Sequence, residues 1–357
     1  MFRSRRFWFG IAVSSGFLAF FLIGIDYAKT GQALRDANYV YIIPGILIYF
    51  VSLWFRTLRW QYLLRHLCPI PIRRLYPIMV VGYMANNILP VRLGEVARSF
   101  YLGEKEKVSK SSSLATILIE RVFDGLILIL FVLAVWPFLP LGDLLRTDAG
   151  DLRILRLTGT ILVGSVFVVV FVGLVGVALY PPLGQRISDL LTFFVPHRFK
   201  DQARRFLELF LGGLASLRSA KKLILILLLS APIWLIEALM YYIVSFSFDL
   251  NVSFGVILVV TATSNLISAV PSTAGGIGPF ELATKITLVS FGVNTESAVA
   301  YAAALHLALW LPVVAAGILL LWMDNRSLVQ FIRGPTEAQW SEGYPIRPVP
   351  LEGDGKE

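Results

Sequence analysis

The chain is poor in charged residues, and the charges that it has are clustered between long apolar runs. Only 15% of its 357 residues are Asp, Glu, Lys or Arg, while 57% are hydrophobic. Soluble domains carry about 25% charged residues, so the composition excludes an ordinary soluble protein. We expect an integral membrane protein that crosses the bilayer several times.

Cysteine and histidine are also scarce, which limits the available chemistry. A single cysteine, Cys68, excludes an intramolecular disulfide and a cysteine metal cluster. The three histidines, His66, His197 and His306, lie far apart in the sequence. No H-E-x-x-H, G-x-x-x-x-G-K-[ST] or G-x-S-x-G pattern is present. Because no catalytic or nucleotide-binding motif is found, the sequence argues against an enzyme. We expect no cofactor and no transport driven directly by ATP.

Long apolar runs predict membrane helices, because about 20 apolar residues are needed to cross the hydrocarbon core. Runs of this kind lie near 7–25, 39–60, 112–135, 157–180, 223–248 and 297–322. Two further apolar segments, 76–100 and 254–292, are interrupted by Pro and Gly. The basic N-terminus resembles a signal peptide, but the long run after it and the lack of a cleavage site favour a retained first helix.

The two interrupted segments carry residues of the same types in the same order: Asn, Pro, Gly, then a carboxylate. The first has Asn86, Asn87, Pro90, Gly94 and Glu95. The second has Asn265, Pro271, Gly275, Gly276, Gly278 and Glu281. Backbone freed by Pro and Gly is tolerated at membrane depth only beside protein or a water-filled cavity. A matched pair of such breaks indicates the substrate site of a transporter.

The distribution of Lys and Arg favours six crossings and two re-entrant segments. With both interrupted segments re-entrant, the presumed cytoplasmic pieces hold 25 basic residues and the presumed outside pieces hold 6. Full crossing by both would place the basic stretch 181–222 outside, against the positive-inside rule. Each half, about 7–135 and 157–322, then has three crossings and one re-entrant broken helix, and the second half is inverted. We predict an all-α polytopic fold of two inverted repeats, with both termini cytoplasmic.

The predicted transmembrane domain covers 1–323, and the basic stretch 181–222 within it has two interpretations. Its Leu and Phe pairs suggest amphipathic helices on the cytoplasmic leaflet, while its charge can equally reflect the positive-inside rule alone. The segment 324–357 is polar and holds four prolines, so we expect a disordered cytoplasmic tail. The net charge of +9 lies beside apolar spans, which suits anionic headgroups better than nucleic acid.

Charged residues within the apolar runs form a predicted charge network. Its members are Glu120, Arg121, Asp124 and Glu237. The first three lie in one helix, where each charge costs roughly 2.5–3.5 kcal/mol to insert. Arg121 can pair with Asp124 three residues away, but the net negative charge of the three residues requires a cation such as Arg92 or Arg98. The network either holds helices together or takes part in the function.

The predicted substrate-binding residues come from the two interruptions. They are Asn86, Asn87, Arg92, Glu95, Asn265, Gly276, Gly278 and Glu281. Arg92 offers a fork of donors to a phosphate, and free N–H groups at a helix start add a second anion-attracting feature. By contrast, Arg98 is interpreted as a charge at the cytoplasmic boundary, and Arg56 and Arg59 as interface anchors before headgroup contacts. His306, on an apolar helix, is interpreted as a packing residue rather than a proton carrier.

At these residues the chain resembles the lysylphosphatidylglycerol synthase transmembrane family, also called the flippase-like domain family. The matching pieces are N-N-I-L-P-V-R-L-G-E-V-A-R at Asn86 to Arg98, E-R-V-F-D at Glu120 to Asp124, and P-S-T-A-G-G-I-G-P-F-E at Pro271 to Glu281. The resemblance implies a bacterial inner-membrane protein that moves or handles a lipid. Only a short polar tail follows Trp322 instead of an aminoacyl-transfer domain, so lipid aminoacylation is not expected.

Three functional hypotheses follow. The first is a flippase or transporter for a phospholipid or another lipid with an anionic headgroup, including a polyprenyl-phosphate-linked one. The second is a membrane-embedded transferase acting on lipid-linked substrates, with Glu95 or Asp124 as a base. The third is a lipid-binding scaffold for a partner lipid-modifying enzyme, which would contact the basic stretch 181–222.

Overall fold

The computed structural model describes residues 5–65, 67–89, 93–135, 220–269 and 274–325, with isolated positions between 176 and 192. Every regular element in these ranges is helical, in agreement with the all-α prediction. Several predicted features lie outside the described residues. They are the helix near 157–180, most of the basic stretch 181–222, the tail from 326 onward, Pro271 and Arg92.

We number the described α-helices in chain order. They are α1 (Arg5–Leu22), α2 (Tyr27–Asp36), α3 (Ile42–Leu64), α4 (Ile72–Ile88), α5 (Gly94–Glu106), α6 (Lys110–Val135), α7 (Ala220–Ser245), α8 (Phe254–Ile267), α9 (Pro279–Ser290) and α10 (Thr295–Met323). Short 3-10 turns precede α3, follow α7 and lie between α8 and α9. The main departure from the predicted ends is at α3, which continues to Leu64 instead of stopping near residue 60.

Within the described residues, three helical stretches are long and apolar enough to cross a bilayer unaided. They are Tyr39–Leu64, Lys221–Phe248 and Thr295–Met323. A fourth candidate is the pair Ile11–Leu22 and Tyr27–Asp36, which bends by 89° between its two helices. Several apolar helices of this kind make the chain a multi-pass membrane protein.

Helix α2 was missed by the sequence prediction, which assigned 26–38 to an outside loop. The Asp26 carboxylate caps the helix by accepting hydrogen bonds from the backbone N–H groups of Ala28 and Lys29. The helix has no buried residue. At ten residues this polar helix is too short to appear as an apolar run that spans the membrane, so a search for such runs passed over it.

The first interrupted segment folds into a hairpin, formed by α4, the break at 89–93, and α5. Leu89 is extended (φ −89°, ψ 136°), as expected for a residue that precedes a proline. The two arms are antiparallel, because Gly82 lies against the Arg98 side chain and Gly94 lies against the backbone of Asn86. A Cβ at Gly94 would meet the Asn86 nitrogen at 2.2 Å, so only glycine allows this approach. We call this unit the first hairpin.

The second interrupted segment also folds into a hairpin, formed by α8, the turn around Gly275 and Gly276, and α9. Thr263 of α8 and Thr287 of α9 share a hydrogen bond of 2.9 Å between their hydroxyl groups, so these arms are antiparallel too. Gly275 and Gly276 have φ of +72° and +75°, a region that favours glycine. The Glu281 carboxylate caps α9 by accepting from the Gly278 N–H at 2.7 Å. We call this unit the second hairpin.

An antiparallel pair, α3 and α7, packs at the centre of the described residues. Gly45 allows close contact with Val244, and the Ser52 hydroxyl donates to the Ile233 carbonyl at 3.2 Å. The first hairpin packs against α10, and the second hairpin packs against α6. Each hairpin is therefore enclosed by helices from both halves of the sequence, which brings the two interruptions toward the centre.

Candidate functional site

The tips of the two hairpins meet at Trp310 of α10. The Trp310 indole N–H donates to the Asn87 carbonyl at 3.0 Å, which occupies a backbone oxygen left free at the end of α4. Gly275 lies beside the same edge of the ring, where an added Cβ would come within 2.9 Å of the indole and 3.4 Å of the Asn87 carbonyl oxygen. The tryptophan therefore joins the two breaks, and Gly275 leaves room for it.

A cavity of about 130 Å³ opens where the tips meet. Its walls come from both hairpins and from α3, α6, α7 and α10. The lining residues are Tyr49, Arg56, Tyr83, Asn86, Asn87, Arg121, Trp234, Glu237, Tyr241, Asn265, Ser268, Gly275, Gly276, Phe280, His306, Leu309 and Trp310. Aromatic rings, amides and charged groups thus share one partly open cavity within an apolar protein.

Amide groups line the cavity from both hairpins. Asn86 and Asn87 end α4, and Asn265 lies in the last turn of α8. Asn265 donates to the Tyr241 hydroxyl at 3.1 Å and to the Thr261 carbonyl at 2.9 Å. The Asn86 side-chain oxygen is buried and has no hydrogen-bond partner in the structure. Buried polar atoms are normally paired, so this oxygen, which packs beside Gly94 of α5, is an unsatisfied acceptor next to the cavity.

A cluster of buried ion pairs lies directly behind the cavity, and we call it the charge cluster. It contains Arg56, Arg59, Glu95, Arg98, Glu120, Arg121, Asp124 and Glu237. Four arginines face four carboxylates, so the cluster is neutral when all are ionised. Pairing of this kind removes most of the cost of placing charges at membrane depth.

The innermost pairs of the cluster join α3 to α6 and α7. Arg59 contacts Asp124 at 2.6 Å, and Arg56 contacts Glu237 at 2.5 Å. Asp124 also accepts from the Trp234 indole at 2.9 Å. The Arg56 guanidinium lies over the ring of Trp234, 4.5 Å from its centroid. Each partner is at most 5% exposed, so these ion pairs are buried.

These contacts correct the interpretation of three arginines. Arg56 and Arg59 are not interface anchors, because they are 2% and 0% exposed and lie inside the protein. The prediction ended α3 too early, and the longer helix keeps both residues on a buried face. Arg98 is not a charge at an exposed boundary either, since it is buried and forms an ion pair with Glu120. It is one of the two candidates, Arg92 and Arg98, for the cation that the charge count required.

Arg121 connects the charge cluster to the cavity. It contacts Asp124 at 3.2 Å and Glu95 of the first hairpin at 3.6 Å, and it donates to the Tyr83 hydroxyl at 3.4 Å. Its side chain is 27% exposed and lines the cavity, while its partner carboxylates are more deeply buried. Arg121 therefore presents a guanidinium to whatever enters the cavity.

The other predicted site residues lie outside the cavity wall. Gly278 packs against α1, where an added Cβ would meet the Ser14 carbonyl at 2.7 Å. Glu281 lies behind His306, and Glu95 lies behind Arg121. Glu120 faces Arg98 and Arg59. The structure therefore brings Asn86, Asn87, Asn265, Gly276, Arg121 and Glu237 to one cavity and leaves the remaining described candidates one layer away.

His306 lines the cavity and is bonded through both ring nitrogens. Nδ1 lies 2.6 Å from the Glu281 carboxylate, and Nε2 lies 3.0 Å from the Gly275 carbonyl. The ring also packs on Phe280, with 4.6 Å between ring centroids. The packing interpretation of this histidine accounts for the Phe280 contact but missed its two polar contacts and its place in the cavity wall.

Most of the aromatic lining was not predicted from the sequence. Tyr49, Tyr83, Trp234, Tyr241 and Trp310 come from four different helices. Aromatic residues are common throughout such helices, so neither their type nor their spacing distinguishes a cavity wall from a lipid-facing surface. Arg56 had a weak signal, because it precedes Arg59 by three residues and so shares a helix face with it.

The sequence of this chain matches a known protein family. The family model of the lysylphosphatidylglycerol synthase TM region matches residues 7–317. A UPF0104 membrane protein of Methanothermobacter thermautotrophicus is 26% identical over 273 residues, which cover 73% of this chain and 78% of that protein. Another, MJ1078 of Methanocaldococcus jannaschii, is 25% identical over 249 residues, 69% of this chain and 96% of that one.

A third relative carries a more specific name. Glycosyltransferase AglD of Haloferax volcanii is 22% identical over 314 residues, which cover 81% of this chain but only 49% of AglD. The similarity therefore concerns about half of that protein.

Proposed function

Because this chain belongs to the lysylphosphatidylglycerol synthase TM region family, we propose that it moves a lipid with an anionic headgroup across the membrane. The observation that carries the proposal is the cavity at which the tips of two broken helices meet. Broken helices that line a cavity between two halves are typical of secondary transporters. The headgroup would enter this cavity while the lipid tails stay in the bilayer.

The packing of the helices supports a proposed inverted repeat. The proposed exchange replaces α3 with α7, α4 with α8, α5 with α9 and α6 with α10. With this exchange, the contact of α4 with α10 corresponds to the contact of α8 with α6, and both are present. The contact of α5 with α6 likewise corresponds to the contact of α9 with α10, and both are present. The α3–α7 contact maps onto itself. An approximate twofold axis through α3 and α7 would produce this pattern, and the cavity lies near it.

We propose that Arg121 is the residue that contacts the headgroup phosphate. Its planar guanidinium can donate two parallel hydrogen bonds to phosphate oxygens, and it is the more exposed of the two arginines that line the cavity. The amides of Asn86, Asn87 and Asn265 would bond the other polar groups of the headgroup. That Arg92 also binds the phosphate stays a prediction, because Arg92 lies outside the described residues.

The location and orientation of the protein are part of the proposal. The basic residues that flank the apolar runs would lie on the cytoplasmic side of the inner membrane, together with both termini. The same excess of charge would draw anionic phospholipid or a polyprenyl-phosphate-linked lipid to the protein. A partner enzyme that makes or modifies the lipid would act at this cytoplasmic face.

Reconstitution of the purified protein in liposomes tests the proposal. We expect acyl-labelled fluorescent phosphatidylglycerol to move between leaflets, as measured by dithionite quenching. Arg121→Lys should reduce this rate and Arg121→Ala should reduce it further, because the first variant loses the fork of donors and the second also loses the charge. Arg74→Ala is the matched control, since this arginine is 62% exposed in its pair with Glu106. A wild-type rate in Arg121→Ala would remove the proposed role.

The relative named as a glycosyltransferase favours a second candidate, glycosyl transfer to a lipid within the membrane. Here the carboxylates near the cavity would act as the base. Turnover of a radiolabelled sugar–phosphate lipid by the purified protein separates the two candidates. Product formation without movement between leaflets would replace transport by transfer, and mass spectrometry of lipid that copurifies with the protein would identify the substrate in either case.

A further inference from the structure

The contacts of His306 hold the tip of the second hairpin against α10. Nε2 faces the Gly275 carbonyl at 3.0 Å, and Nδ1 faces the Glu281 carboxylate at 2.6 Å. The second oxygen of that carboxylate accepts from the Gly278 N–H at 2.7 Å. One histidine and one carboxylate therefore tie together the turn of the second hairpin, the start of α9 and the wall of the cavity.

The hydrogen-bond acceptors around His306 determine how many protons the His306–Glu281 pair must hold. A carbonyl oxygen only accepts, so Nε2 must carry a proton to bond Gly275. The contact of Nδ1 with Glu281 needs a second proton, which lies either on the imidazole or on the carboxyl. The histidine and the carboxyl thus hold one proton more than a neutral histidine beside an ionised carboxylate, and their net charge is zero.

Loss of that proton breaks one of the two contacts. If Nε2 keeps its proton, the Nδ1 lone pair faces a carboxylate oxygen, and the two repel. If the remaining proton moves to Nδ1, the Nε2 lone pair faces the Gly275 carbonyl instead. In either arrangement a nitrogen lone pair of His306 faces an oxygen lone pair, so one hydrogen bond is lost. The proton that departs enters the cavity, which His306 lines.

Among the residues that the structure describes, Glu281 is the only titratable side chain that hydrogen-bonds to the His306 ring or packs on it. Around the cavity, the packed elements contribute Tyr49 and Arg56 from α3, Tyr83 from α4, Arg121 from α6, and Glu237 and Tyr241 from α7. The charged side chains of α2, which also packs against α10, are exposed: Lys29, Arg35 and Asp36. On α9, the Lys285 ammonium group donates to the Phe21 carbonyl of α1 at 2.7 Å.

We propose that His306 and Glu281 form a proton-binding site that keeps the second hairpin closed when it is loaded and releases the hairpin tip when the proton leaves. The turn is suited to such movement, because Gly275 and Gly276 both adopt positive φ angles that glycine can leave at little cost. The role of the released tip in lipid movement rests on the proposed function, whereas the proton site itself rests on the contacts alone. Lipid movement would then be coupled to proton movement.

Glu281→Gln imitates the loaded state permanently. The Gln carbonyl can accept from the Gly278 N–H, and its NH₂ group can donate to Nδ1 while Nε2–H still donates to Gly275. Every hydrogen bond is kept and no proton can be lost, so the variant should fold and stay closed. Glu296→Gln, in the first turn of α10, removes the same charge away from the cavity and is the matched control.

Hydrogen–deuterium exchange on the full-length protein tests the site without any transport assay. After correction for the intrinsic pH dependence of amide exchange, we expect peptides covering 274–281 to exchange faster as the pH rises in the wild type and in Glu296→Gln. In Glu281→Gln the corrected rate should not change with pH. A wild-type rate that is independent of pH would overturn the proposal without the need for any variant.

Lipid translocation measured in liposomes with different internal and external pH then tests the coupling. We expect the wild-type rate to depend on the pH difference and Glu281→Gln to lose that dependence. If the exchange result holds and no lipid moves in the wild type, the proposed function fails while the proton site stands. If lipid moves equally well in both proteins at every pH, the coupling to protons is refuted and the proposed function is retained.

Discussion

The two hairpins have the same shape but are fixed by different chemistry. In the first hairpin, Glu95 and Arg98 of α5 are members of the charge cluster of buried ion pairs. The second hairpin sends Glu281 from its returning arm to a single histidine, and its arms are joined by a hydrogen bond between Thr263 and Thr287. The difference suggests that the first hairpin is a fixed wall of the cavity, while the second is the part that moves.

The physical reason lies in which groups can lose their charge. Arginine stays protonated at any physiological pH, so the contacts of the first hairpin persist under all conditions in which the protein works. The contact between His306 and Glu281 depends on one proton, so under our proposal it is made and broken as that proton binds and leaves. The following predictions test this contrast, beginning with the largest expected effect.

Removing Arg98 should destabilise the protein most. Arg98→Met leaves Glu120 buried, with only Arg59 nearby at 3.8 Å, and breaking a buried pair in this way costs about 3–5 kcal/mol. Chemical unfolding in detergent measures the loss. The exposed Arg74–Glu106 pair is the control, where Arg74→Met should cost at most about 1 kcal/mol. Equal losses in the two variants would show that the charge cluster does not hold the first hairpin.

Adding a methyl group at Gly275 should have the next largest effect. In Gly275→Ala the positive φ costs roughly 1–2 kcal/mol, and the contact with Trp310 at 2.9 Å adds a packing penalty. Gly292→Ala is matched to it, because this residue has φ of +83° and nothing within 4 Å of an added Cβ. The difference between the two unfolding free energies therefore isolates the contact between the hairpin tips. No difference would mean that the tips do not pack as described.

Loss of the Trp310 hydrogen bond should have the smallest effect. Trp310→Phe keeps an aromatic ring but leaves the Asn87 carbonyl without its donor, which should cost about 0.5–1.5 kcal/mol. Trp322→Phe, at a side chain that is 73% exposed, should change the unfolding free energy very little. A loss in Trp322→Phe as large as that in Trp310→Phe would assign the effect to ring size rather than to the hydrogen bond.

The elements with strong local signals were predicted from the sequence. Proline after Leu89 and the glycines near residue 275 located both breaks, because these residues restrict or free the backbone wherever they occur. The charge count around Glu120 and Asp124 correctly required a further cation, since a buried charge must be paired. Apolar length predicted the three helical stretches that are long and apolar enough to cross the bilayer, Tyr39–Leu64, Lys221–Phe248 and Thr295–Met323.

The partners of these residues could not be predicted, because they depend on contacts between distant parts of the chain. The pairing of Arg56 with Glu237 joins residues 181 positions apart. The Asn87–Trp310 contact joins residues 223 positions apart. His306 looked like a packing residue because its helix is apolar throughout, and only the hairpin tip beside it reveals its role in the cavity wall.

Cross-linking the two hairpins tests the central claim most directly. Asn87→Cys and Ser268→Cys place one thiol on each hairpin at the cavity, and Cys68→Ser removes the single native cysteine. We expect a short reducible thiol cross-linker to join them, to stop lipid translocation in liposomes, and to allow its return after reduction. Translocation that continues at the uncross-linked rate after the link has formed would contradict passage of the headgroup between the hairpin tips.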